Sequence, residues 1–435
     1  MSWSVRIATL SNGVRLFPSA YAGWDFTRGI YRIGNQQTRN VSALPGYNFT
    51  RALAAYAEDT AGNLIQFASG VPRITNKGVL IEESRTNLLQ QSQTFGATWS
   101  ATNSTITENQ VSAPDGTLTA DKINDTADGS SLEHFVFQST TPSSSTVYTY
   151  SVYAKYGSGN RSLAIRAAPS AWASAQVGFF DLSSGTVLGV SGGGSASIQP
   201  LGNGWYRCVL TTIATSSATA TVFRVQLASG TTLDYTGTGN GFNYIWGAQL
   251  EAGSFPTSYI PTTSASVTRP ADVFYYALAS DFTTADFSIA SQAQAVAAQS
   301  GKFPAVWAVN DGSVNNELQN YLNGGSSATG GTIKLLTSGV ARFESAPSGA
   351  PVSGAITEAT SKAATVRASA QGNAASLRGS WTNFGSPATS LVLGKNDVPS
   401  SGAAGYLLNG YIQRLASYPF AASDAQLQSI SSGNF

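Results

Sequence analysis

The feature that most constrains this chain is a two-residue alternation, repeated in short runs and broken by turn-forming clusters. In Phe242–Glu251, Phe242, Tyr244, Trp246, Ala248 and Leu250 fall on one side, and Asn243, Gly247, Gln249 and Glu251 on the other. In Thr221–Ala228, Phe223, Val225 and Leu227 alternate with Val222, Arg224 and Gln226. Successive side chains of an extended strand point to opposite faces, so this period marks strands with one buried face. His134–Gln138, Val147–Lys155, Ser162–Ala167, Gln176–Leu182 and Trp205–Ile213 share the character, with clusters such as Gly157–Asn160 and Ser191–Gly194 between them. Short strands, frequent turns and no sustained helical period predict a β-sandwich of jelly-roll type over residues 95–270. No 20–50-residue repeat or long heptad run is present, which argues against a solenoid, a propeller or a coiled-coil shaft.

At 435 residues the chain is long for one domain. Only 11% of residues are charged while 42% are hydrophobic, which suits turn-rich β-sandwiches and not a disordered chain. The net charge of +1 gives no electrostatic case for nucleic acid or an anionic membrane. Cys208 is the sole cysteine and His134 the sole histidine, so neither an intramolecular disulfide nor a His- or thiolate-based metal cluster is expected. No apolar run reaches the roughly 18 residues of a membrane span. The N-terminus lacks a signal-peptide core, so synthesis in a cytoplasm is expected.

Charge is scarce but not evenly spread. Arg51, Glu58, Asp59, Arg73, Lys77, Glu82, Glu83 and Arg85 crowd into residues 47–94, among strand-like pieces Asn63–Phe67 and Gly78–Ile81. Such charges are expected to pair and fix a register more than to add stability. The span reads as a small β junction. Before it, residues 1–46 carry five arginines against Asp25 alone, interspersed with aromatics. Arginine with aromatics is an interface composition, so this stretch reads as an attachment arm, with Arg6, Arg15, Arg28 and Arg32 as anchoring residues. After residue 270 a third unit, 271–435, follows a polar connector. Ser423 with Gln426 has capping-box spacing for a terminal helix that sets Leu427 and Ile430 on one face.

Four short strings, FTRA (Phe49–Ala52), AGNL (Ala61–Leu64), VPR (Val71–Arg73) and VLIEESRTNLL (Val79–Leu89), resemble in order and spacing a segment of bacteriophage head-spike, tail-fibre and minor structural proteins. The likeness continues through PDGTLTADKI (Pro114–Ile123), GWYRC (Gly204–Cys208) and WGAQLEAGSFPTSYIPT (Trp246–Thr262). It implies a sandwich similar to carbohydrate-binding modules. The tail, LNGYIQRLASYP then SDAQLQSI, resembles the close of a concanavalin-like (laminin-G-like) sandwich. The expectation is therefore all-β, with tandem sandwiches after an arm and a junction. The resemblance implies a virion protein made in the host cytoplasm and docked to other virion proteins through its arm. It would bind host surface polysaccharide without membrane insertion. It would be a homo-oligomer, trimeric as a tail fibre or pentameric at a capsid vertex. A polysaccharide depolymerase and a purely architectural decoration protein are the alternatives.

Catalytic constellations are thin. His134 lies in a strand-like run and reads as a packed or surface residue, and Cys208 as a buried apolar one. A glycosidase needs two carboxylates about 5–10 Å apart, which spacing along sandwich strands does not reveal. No catalytic residue is assigned. Sugar binding needs flat rings with nearby amides and hydroxyls. Trp172, Tyr153 and Tyr156 in the first sandwich, and Trp381, Asn310 and Asp311 in the second, are the candidates, each beside turn formers. Trp205 and Trp246 read as core. No cofactor is expected. A structural Ca2+, as in carbohydrate-binding sandwiches, would fall to Asp115 and Asp121.

Overall fold

In a computed structural model, the described residues are 22–34, 36–216, 220–278, 285–295, 305–322, 331–338, 340–345, 356–371, 373, 375–382, 384, 386–395 and 407–432. The fold is all-β, built of antiparallel sheets, with one α-helix among the described residues. The chain divides into two compact units that interleave in sequence: residues 1–52, 69–83 and 271–435 form the first, and 53–68 with 84–270 the second.

This partition corrects the expected linear order of arm, junction and two sandwiches. Residues of the expected arm are strands of the first unit. Ala22–Asp25 pairs with the late strand Gly410–Tyr418, Ala22 opposite Ser417 and Asp25 opposite Arg414. Ile30–Ile33 and Gln36–Thr38 extend the same sheet. The cause is apolar: Trp24, Phe26 and Tyr31 are buried in that unit's core. Arg28 instead lies 3.7 Å from Asp25 across a turn, and Arg32 donates to the Gly34 carbonyl (2.7 Å). Arg6 and Arg15 lie outside the described residues. Nor is the junction a separate body, since its residues are shared between the two units.

The first unit faces a ten-stranded sheet with a seven-stranded one. Gly410–Tyr418 lies inside the larger sheet. Phe287–Ala295 runs along one side of it, and Ala22–Asp25 and Gly78–Ile81 share the other side end to end. Ile289, Ile412 and Leu415 from this sheet meet Phe274, Trp307, Val309 and Leu393 from the other. The expected helix forms as Asp424–Ser431. Its capping box is complete, and Leu427 and Ile430 pack on Ala290, Ala359 and Tyr418. Expected charge pairing also appears: Arg73 pairs with Glu82 (2.6 Å) and with Asp272, and Arg51 with Asp272 (3.1 Å), all buried.

The second unit is a sandwich of a seven-stranded and a six-stranded sheet. Val136, Leu163, Ile165, Phe223, Val225 and Leu227 of one face Tyr150, Val152, Cys208, Leu210, Ile245 and Leu250 of the other. The six-stranded sheet carries a second apolar layer, in which Tyr153, Trp205, Trp246 and Tyr259 pack with Tyr56 and Leu64. The alternation expected through Phe242–Glu251 breaks at Gly247. There φ is +63° and the register against Val147–Ser158 shifts by one residue. This glycine bulge sends Trp246 to the second layer and Ile245, Ala248 and Leu250 to the main core.

Candidate functional site

Most residues expected to stack on sugars are structural. Trp172 is 4% exposed and packs edge-on against Phe223 (5.8 Å), so no pyranose can reach its ring. Tyr153 is buried edge-on against Trp246 and Tyr259, with the Arg207 guanidinium 5.2 Å from its ring centre. Tyr156 is half-buried against the main core. Turn formers beside these residues suggested loops, but each ring packs against its own sandwich. Trp205 and Trp246 are core residues, as expected.

In the first unit, Asn310 is fully buried and accepts the Gly312 N–H (3.1 Å). Asp311 accepts the N–H (3.0 Å) and hydroxyl (2.7 Å) of Ser313, the amide of Asn316 (2.7 Å) and the hydroxyl of Ser386. Desolvation opposes its ionisation, but these donors outweigh it and hold the carboxyl below its usual range. It organises its loop. Trp381 stays half-buried between Phe287 and Phe384, with the Lys362 ammonium 5.0 Å from its ring centre. The six candidates thus belong to two different units.

Asp115 accepts the N–H (3.0 Å) and hydroxyl (2.6 Å) of Thr117, closing a turn. Asp121 is buried and accepts the N–H groups of Phe95 (2.8 Å) and Asn109 (3.0 Å). Their oxygens are committed to local donors. No group of three His, Cys, Asp or Glu side chains fit to hold a metal occurs among the described residues. His134 is buried with Nδ1 2.6 Å from the Asn103 carbonyl and Nε2 3.2 Å from Asp128, a packed residue rather than an exposed base.

A different cluster lies on the outer face of the second unit's seven-stranded sheet. Three strands, Ser131–Thr140, Thr221–Ala228 and Ser162–Ala167, run side by side there. Their registers align Phe135, Gln226 and Ala164 in one row, and Phe137, Arg224 and Arg166 in the next. Phe223, Val225 and Leu227 are drawn into the core, so alternation leaves Arg224 and Gln226 on the opposite face. Glu133 bridges two guanidiniums, accepting from Arg166 (2.6 Å) and from Arg224. Asp234 stands directly across from Glu133 on the neighbouring strand and is exposed. Arg224 also lies 3.9 Å from the ring centre of Phe135. Desolvation, with Arg166 nearby, pulls the Arg224 pKa down against Glu133.

Some polar atoms of this face are sealed from solvent. Gln226 is fully buried, and neither atom of its amide has a partner; Nε of Arg166 and of Arg224 also lack one. The accessible face sets the Arg166 and Arg224 guanidiniums against the Glu133 and Asp234 carboxylates, beside the half-buried ring of Phe137. Two cationic and two anionic side chains balance. This pattern suits a neutral polyhydroxyl ligand, whose adjacent hydroxyls both donate and accept.

The first unit holds a cleft of about 460 Å3 floored by Trp24, Tyr276, Phe287 and Tyr418, with exposed Asp286 and half-buried Ser417 in its wall. Its lining is mainly apolar and fits hydrocarbon better than a polyol. Neither surface was picked out from sequence, although the alternation in Thr221–Ala228 already put Arg224 and Gln226 on one side. No family model matches the chain, and no curated protein matches it in sequence.

Proposed function

We propose that this chain is a non-catalytic recognition protein of a phage or phage-like virion, a head spike or tail fibre. Its second unit would bind neutral host-surface glycans on the outer sheet face. The observation that carries the binding role is the row Phe137–Arg224–Arg166, whose partly exposed guanidiniums pair with Glu133 beside the half-buried Phe137 ring. The virion role is supported by the resemblance of the strings between Phe49 and Thr262 to phage spike and fibre proteins.

One such face gives modest affinity. Several copies on one particle would multiply it through avidity. Host surface polysaccharide, titrated calorimetrically, should bind the wild type. Binding should be lost in Arg224→Ala and retained in Trp172→Phe. Equal binding by Arg224→Ala would remove this face from the reading, and shortening of the polymer during incubation would replace recognition by depolymerase activity. Immunogold labelling of purified particles tests the virion role separately. Particles that lack the chain yet adsorb normally would end that role.

A further inference from the structure

One edge of the second unit is open among the described residues. The strand Thr186–Ser191 ends the seven-stranded sheet and pairs only with Gln176–Asp181. Its other side has no strand partner among the described residues. An open strand side presents a row of backbone donors and acceptors, which proteins normally blunt with charges, prolines or a cover. From Leu182 to Tyr206 the sequence has no charged residue, and Thr186–Ser191 contains no proline. Val187, Leu188 and Val190 are instead each 37–41% exposed.

The next strand, Ser195–Pro200, follows after Gly192–Gly194 and ends the six-stranded sheet. Both sheets of the sandwich therefore finish in this uncharged segment. A bulge interrupts the edge: Phe179 opposes Gly189 and Phe180 opposes Val187, which leaves Leu188 as the inserted residue. Bulges usually turn an edge away from partners. Here the inserted side chain is apolar and exposed, so it adds contact surface where a charge would repel.

We propose that Thr186–Ser191 is a self-association edge, paired antiparallel with the same strand of a second copy of this chain. Its occupant must itself be extended, because the unmet groups are a strand's backbone. Except at the bulge, a two-fold axis across the edge pairs backbone donors with acceptors and sets the exposed Val and Leu side chains of one copy against those of the other. With no charge on the strand, the copies meet without repulsion, and an oppositely charged partner would gain nothing.

Sedimentation velocity on the full chain across about 1–100 μM, the usual range for weak homodimers, reads the proposal. Wild type should shift from monomer to dimer. Leu188→Lys, which brings like charges together, should weaken the dimer about a hundredfold with an unchanged melting temperature. A Leu188→Cys chain supplies a second readout, because Cys208 is fully buried and only the new thiol is accessible. It should form a reducible covalent dimer faster than Leu377→Cys, whose position is exposed in the first unit. A strictly monomeric wild type, an oligomer indifferent to Leu188→Lys, or equal cross-linking at both positions would each overturn it.

Discussion

Asn87 accepts the backbone N–H of Leu250 at 3.1 Å, across 163 residues of chain. The same oxygen takes the N–H of Leu89 (3.2 Å), and the amide nitrogen donates to the carbonyls of Ala248 (3.1 Å) and Ile260 (3.0 Å). One buried side chain thus ties a strand end to both limbs of Trp246–Thr262. Arg207 reaches the same segment at the Thr257 carbonyl (2.8 Å), and Glu251 accepts the Thr257 N–H (2.9 Å). Residues from three of the strings that resemble phage proteins therefore meet as a framework. Within the second unit they hold backbone in place, and the candidate binding face is built from other residues.

Asn87→Ala should destabilise the protein by about 3 kcal/mol or more, because it strands two buried N–H groups and two buried carbonyls together. Urea unfolding followed by tryptophan fluorescence measures it. A loss below about 1 kcal/mol, the net worth of one ordinary hydrogen bond, would mean that these groups find other partners.

Arg73 stands between Glu82 and Asp272 with no exposed surface. Arg73→Met should cost about 3–5 kcal/mol, since the buried Glu82 and Asp272 carboxylates lose a counter-charge, while Arg51 stays beside Asp272. Screening by salt acts weakly on buried charges, so the loss should persist in 1 M salt, where the Debye length falls to about 3 Å. Recovery of stability in high salt would show that water already reaches the cluster.

Strand character was legible because alternation is local. The strands near His134, Ser162, Thr221 and Phe242 form where the pattern put them. The helix cap at Ser423 was legible for the same reason, as Gln426 is three residues away. The interleaving of the units was not, because nothing near Trp24 names Leu415 as its cross-strand partner. Turn formers around Trp172 likewise reported the local backbone but not the Phe223 ring that buries it. The outer-face cluster needed both kinds of information. Alternation put Arg224 beside Gln226, and only sheet order brings Glu133 and Arg166 to them.

Gly247→Ala tests the bulge that redirects Phe242–Ala252. An L side chain at φ +63° is strained, and its Cβ would lie 2.8 Å from Cδ2 of Tyr153. A cost of about 1–3 kcal/mol is expected, read as a lower melting temperature. An unchanged melting temperature would show that the strand runs regularly through this position.

Asp121 makes stability depend on pH with a definite sign. Burial raises its pKa to about 6; the N–H groups of Phe95 and Asn109 pull downward, and Glu108 adds a smaller upward push. In the unfolded chain an aspartate titrates near pH 3.9. Between about pH 4 and 6 the native state therefore binds more protons than the unfolded one, and this residue's contribution falls as pH rises. It is fully present below the unfolded pKa and gone above the folded one. Asp181 runs the other way: the Ser183 hydroxyl lowers its pKa against some desolvation, so it loses its contribution on acidification. Comparing wild type with Asp121→Asn isolates the one carboxyl, because the other acids are common to both. The unfolding free energy of wild type relative to the variant should decline from about pH 4 to about pH 6 and stay level above that. A level difference across the whole range would mean that Asp121 ionises in the folded protein as it does in the unfolded chain.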